Sequence, residues 1–139
     1  MIIKRKENVI AVRLEKGDEI VESVTKICRE ENIISGTVTA LGASDYAELG
    51  VFWTKEKEYH ANTFTGDMEI SNLTGNLSRM NGEPYVHLHI TLGRVDGSAV
   101  AGHLSKCVIS ATCEMFITVY DMEIDRFKSE EIGLNLMKF

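Results

Sequence analysis

Residues 9 to 14 alternate, with Ile10, Val12 and Leu14 to one side and Ala11 and Arg13 to the other, the period of a strand with one buried face. Gly17 closes that run, and from Asp18 to Glu31 the period changes. Ile20, Val21, Val24, Ile27 and Cys28 fall on one stripe of an amphipathic helix. Asp18 is the expected N-cap, and Glu19 and Glu22 suit the positive end of the helix dipole. Beyond the helix, strands are expected over 33–41, 47–53, 60–64, 68–77, 85–95, 99–104 and 112–120, separated by Gly and Asn. Their connections leave no room for crossover helices, so the sheet should be mainly antiparallel. Asn81-Gly82 and Asp96-Gly97, which tolerate positive φ, mark two turns. The pattern predicts an α+β fold: a mainly antiparallel sheet with one principal helix packed on it, residues 1–139 forming a single domain. The tail after Arg126 should pack through Leu134, Leu136 and Met137.

The clearest alternation lies between Pro84 and Val95. Val86, Leu88, Ile90 and Leu92 point one way and must face the core, while Tyr85, His87, His89 and Thr91 point the other. Two imidazoles two residues apart on one strand, about 6 to 7 Å between Cα atoms, can converge on one ion. After the Asp96-Gly97 turn the returning segment carries Gly102-His103, so a hairpin brings a third imidazole alongside, and Gly102 permits close backbone approach. Three histidine nitrogens with an open position are the ligand set of a catalytic-type zinc site, and Ni²⁺, Fe²⁺ or Cu²⁺ would also fit. On spacing alone, a solvated or subunit-facing polar sheet face, with hydrogen bonds but no metal, accounts for the pattern slightly better.

Glu114 alternates with Thr112 and Phe116 against Cys113, Met115, Ile117 and Val119, which places it on the histidine face. There it is a candidate to orient an imidazole or act as acid or base, or else a solvent-exposed strand glutamate. His60 lies in a polar stretch and reads as a surface residue. Cys28, Cys107 and Cys113 form an odd set without a C-x-x-C pair and read as buried structural thiols. With the charged start MIIKRKEN, they point to a reducing, cytoplasmic setting.

Composition adds limits. Apolar residues make up 44% and charged residues 26% of the chain, the balance of an ordinary globular domain. No apolar run reaches the roughly 18 residues of a membrane span. A net charge of −6 argues against a broad electrostatic grip on DNA, and Lys4-Arg5-Lys6 reads as a solvated strand end. Direct DNA binding would require an assembly that gathers Lys4, Arg5, Lys6 and Arg126 into one patch.

Several ordered blocks taken together resemble the PPC (DUF296) domain family over nearly the whole chain. They are Arg13-Leu14-Glu15-x-Gly17-Asp18, Ser35-Gly36-Thr37-Val38-x-Ala40-Leu41-Gly42, Glu69-Ile70-x-Asn72-Leu73-x-Gly75-Asn76-Leu77, His87-x-His89, Asp96-Gly97 and Gly102-His103-Leu104. The resemblance implies an α+β fold assembled as a homotrimer, in which His87, His89 and His103 form a cluster able to hold a metal ion, zinc first. It also implies a regulatory or DNA-associated role through a protein partner or small ligand. Two features depart from the plant members. The chain carries no Arg-Gly-Arg-Pro hook for A·T-rich DNA. Gly66-Asp67-Met68-Glu69-Ile70 stands where the plant partner-binding segment resembles Gly-Arg-Phe-Glu-Ile, and Asp67 reverses the charge there. Ala101 replaces a second glycine before Gly102-His103. The PPC fold is also similar to that of the acetolactate decarboxylases, zinc enzymes with a comparable histidine layout. This leaves, as an alternative function, a metal-dependent lyase or hydrolase acting on a small carbonyl compound.

Overall fold

The computed structural model describes Met1–Phe139. Eight strands and one helix follow in the order β1 (Ile2–Lys6), β2 (Val9–Glu15), α1 (Ile20–Glu30), β3 (Gly36–Trp53), β4 (Glu58–Met80), β5 (Glu83–Gly93), β6 (Ala99–Val119), β7 (Asp125–Lys128) and β8 (Asn135–Lys138). All neighbouring strands pair antiparallel except β4 and β7, which meet in parallel at Arg79 and Asp125. The fold is thus the expected α+β arrangement.

Three strands are longer than their alternation suggests. The runs expected at 33–41 and 47–53 are one strand, β3, whose register against β4 shifts between Ala40 and Gly42 and again between Ser44 and Tyr46. Each irregularity flips the facing of later residues and bends the strand, so a continuous ladder reads in sequence as two strands with a loop between. β4 and β6 likewise each unite two of the expected runs. The bends have a topological consequence. β3 pairs with β4 and β6, and β5 pairs with both β4 and β6, so these four strands close on one another while β2 and β1 extend the sheet from β6.

Helix α1 packs on β5 and β6 inside this curl. Its buried residues are Ile20, Val24, Ile27 and Cys28, the stripe expected from the sequence. They meet Leu88, Ile90 and Leu92 of β5 in a single core with Ile10, Leu14, Leu49, Leu73 and Ile117. Burial of such side chains supplies about 1.5 to 3 kcal/mol each, which makes this core the main stabilising feature. The helix cap is Glu19 rather than Asp18: its carboxylate accepts from Glu22 N (2.7 Å) and also from Cys107 N (2.8 Å), tying the helix start to β6. Asp18 instead accepts from Glu15 N (2.9 Å), closing the preceding turn, and pairs with the Met1 amino group.

Both turn dipeptides are turns. Asn81 and Gly82 (φ 54° and 83°) join β4 to β5, and Gly97 (φ 81°) lies between β5 and β6, where Asp96 accepts from Ser98 N. The three cysteines are free and buried. Burial pushes the thiols of Cys28 and Cys113 up to about 12 and that of Cys107 to about 11, so none is a thiolate available to a metal at neutral pH. The tail folds as the β7–β8 hairpin, with Leu136 and Met137 half-buried and Leu134 more exposed. No helix is long and apolar enough to cross a membrane.

Candidate metal centre

The inward face of β5 is Leu88, Ile90 and Leu92, so its outward face presents His87 and His89. In the β5–β6 hairpin His89 stands directly opposite His103. Directly paired residues point to the same side of a sheet, and the three rings therefore meet. Their centroids lie 5.1 Å (His87–His103), 5.2 Å (His87–His89) and 5.6 Å (His89–His103) apart. One nitrogen from each can be chosen so that all three lie within 4.8 Å of one another. A tetrahedral zinc ion with bonds near 2.1 Å sets about 3.4 Å between ligand atoms, a spacing within the reach of side chains already this close.

Gly102 is needed for this register. A methyl group there would stand 2.6 Å from the Gly50 carbonyl oxygen and 3.1 Å from its nitrogen, because β3 runs against β6 beside His103. Ala101, one step earlier, pairs normally with Thr91 and is exposed, so the missing second glycine costs the ladder nothing.

The rings take no hydrogen bond from the protein. At this place the Tyr59 hydroxyl donates to the backbone carbonyl of His103 (3.0 Å), not to its ring. Within the chain, then, no side chain or backbone group ties up the ring nitrogens of the trio. Burial, followed by the neighbouring His103, Arg126 and His89, pulls the His87 imidazole down to about 4; burial and His89 also lower His103. Both stay neutral at physiological pH, with lone pairs free for an ion.

This has a measurable consequence for the metal-free protein. The unfolded chain protonates His87 near 6.5 while the folded chain resists until about 4, so its contribution is fully present above 6.5 and is lost as pH falls through that window. Urea midpoints should decline more steeply between these limits for wild type than for His87→Asn. Parallel profiles for the two proteins would refute this.

The other sequence candidates lie apart. Glu114 does occupy the outward face, paired with Arg13 on β2 and Leu41 on β3. Along β6 it lies eleven residues beyond His103, the residue paired with His89. No carboxylate joins the histidine cluster. His60 stacks on Trp53 with ring centroids 3.7 Å apart, near the tip of the β3–β4 hairpin. Of the basic residues, Arg5 is paired with Glu31 at 2.8 Å and Arg126 is buried. A separate cleft of about 610 Å³ is walled by Asp67, Met68 and Glu69 together with Asp45, Lys16 and Arg94, and holds none of the histidines.

Sequence reading missed Arg126 as a neighbour of the site. Its guanidinium donates from Nη2 to Asn76 Oδ1 (2.7 Å), and Asn76 is the β4 residue opposite His87. No local pattern announces this contact, since β7 reaches β4 from 50 residues away.

Fold and site together define a small α+β domain whose curled antiparallel sheet displays three convergent imidazoles. The chain belongs to the Plants and Prokaryotes Conserved (PCC) domain family, whose pattern matches residues 1–121. Solved structures agree over the full length. A candidate DNA-binding protein from Bacteroides thetaiotaomicron is 40% identical with a TM-score of 0.96, covering 99% of this chain and 96% of its own. A metal-containing protein from Archaeoglobus fulgidus is 28% identical with a TM-score of 0.90, covering 100% of this chain and 99% of its own. A plant- and prokaryote-conserved protein from Pyrococcus horikoshii is 26% identical with a TM-score of 0.87, covering 99% and 94%. No curated protein matches the chain.

Proposed function

We propose that this protein is a metal-binding PCC-domain protein that holds one divalent transition ion, zinc first, through His87, His89 and His103 and presents the open coordination position to a small ligand. The observation that carries this reading is the convergence of three imidazoles with no competing hydrogen bond or carboxylate. The metal-containing relative from Archaeoglobus fulgidus supports it. When bound, zinc would polarise a carbonyl oxygen or activate water, which keeps a lyase or hydrolase acting on a small carbonyl compound as the second reading. Elemental analysis after incubation with zinc and removal of excess should give one ion per chain. Absence of bound metal in folded protein would falsify both readings.

A role on DNA, as named for the Bacteroides relative, would pass through a protein partner or through assembly, because the free chain carries a charge of −6. Absence of any mobility shift of duplex DNA at low ionic strength is the expected result for the isolated protein; a salt-sensitive shift would contradict it.

Homotrimeric assembly belongs to this proposal. The outward sheet face carries Ile2, Leu41 and Phe116, each more than half exposed (52%, 61% and 57%), on β1, β3 and β6. Large apolar side chains grouped on one sheet face favour coverage by another copy. Sedimentation equilibrium should return three times the chain mass of 15.5 kDa, and Phe116→Glu should shift the protein toward monomer. A monomeric wild type at micromolar concentration would count against the assembly.

A further inference from the structure

We propose that Arg126 is the anion-recognising half of the histidine site, so that the ligand is a small carboxylate held between the guanidinium and the metal ion. This rests on the metal reading above and names the ligand class for the same site.

Arg126 lies on β7, beyond the segment 1–121 that matches the family pattern, and is only 9% exposed. Its three hydrogen bonds all go to neutral acceptors: Nε to Ser78 Oγ (2.7 Å), Nη1 to the Asn135 carbonyl (2.8 Å) and Nη2 to Asn76 Oδ1 (2.7 Å). The guanidinium also lies 4.5 Å over the Tyr85 ring. No Asp or Glu pairs with it. Desolvating a cation costs several kcal/mol unless a counter-charge compensates, and neutral acceptors do so only in part. A guanidinium offers five N–H donors, and these bonds use three, leaving one on each terminal nitrogen.

The position of this charge gives it meaning. Ser78 stands opposite Tyr85, and Asn76 stands opposite His87, in the β4–β5 ladder. The side chains of each pair share a face, so Arg126 lies against the His87 end of the trio. A divalent ion on three neutral imidazoles would add two positive charges to the one on Arg126. The chain has 21 acidic residues, yet the histidine cluster includes none. A carboxylate ligand would supply that negative charge, and it matches both the planar donor fork and a metal that takes oxygen ligands. A second oxygen on the neighbouring carbon, hydroxyl or carbonyl, would let one small molecule satisfy both groups.

Calorimetry on the zinc-loaded protein tests this with 2-hydroxyisobutyrate, its neutral amide and inorganic phosphate. The acid should bind about ten-fold or more tightly than the amide. Arg126→Gln should remove that preference while zinc stoichiometry stays unchanged, and Arg126→Lys should retain part of it. Because the acid–amide comparison is made on wild type, a variant that fails to fold does not shield the proposal. Equal binding of acid and amide by zinc-loaded wild type overturns the proposal and leaves the metal reading standing. Phosphate binding more tightly than the acid overturns the carboxylate assignment. A folded wild type that takes up no zinc overturns the metal reading and this proposal with it.

Discussion

Replacing His89 by alanine should strip the ion from an otherwise intact protein. His89 is the exposed member of the trio, and its side chain supports neither the core nor a hydrogen bond, so the stability cost should stay within about 0.5 kcal/mol. Its loss leaves two imidazoles, fewer than a stable transition-metal site uses. Losing an outer hydrogen-bond partner of a metal ligand typically costs about 10- to 100-fold in affinity, and losing a ligand should cost more. Bound zinc should fall from one per chain to a trace after desalting, with an unchanged circular dichroism spectrum. His60→Ala provides the contrast: that ring stacks on Trp53, outside the cluster, and its removal should leave the metal content unaltered. Full zinc retention in His89→Ala would place the ion elsewhere.

The second large effect is expected at Gly75, which lies outside the histidine trio. Gly75 pairs with Leu88 in the β4–β5 ladder, and a methyl group there would drive into the His87 carbonyl, with Leu88 Cδ2 at 2.6 Å and Leu88 Cα at 2.9 Å. Two of these neighbours are backbone atoms within a paired strand and cannot swing aside. Gly75→Ala must therefore part β4 from β5 at the residue that carries His87, at a cost of about 2 to 4 kcal/mol. Urea unfolding should show the lower midpoint, and zinc affinity should fall with it. A variant within about 0.5 kcal/mol of wild type would mean that the strands are not so closely paired.

How far the sequence alone reaches depends on whether a feature is local. The outward position of His87 and His89 follows from the period-two pattern of Val86, Leu88, Ile90 and Leu92, and the turn at Asp96-Gly97 delivers His103 because a short hairpin leaves little freedom of register. Helix α1 is equally legible from its stripe, though its cap falls one residue later, where Glu19 can reach both Glu22 N and Cys107 N. β1 is hidden because an edge strand reading IIKRK has little burial to mark it. Bulges near Gly42 and Tyr46 conceal the unity of β3 by reversing its alternation. Glu114 shows another limit: alternation identifies the face a residue occupies but not its distance across the sheet. Arg126 depends wholly on tertiary contact, so only the fold could bring it to the site.

The central claim is that three imidazoles hold one ion. Anomalous diffraction at the zinc edge, from crystals of zinc-incubated protein, tests it most directly. A single strong peak about 2.0 to 2.1 Å from one nitrogen each of His87, His89 and His103 is the predicted result. A zinc peak at other residues, with the space between these three rings empty, would contradict it.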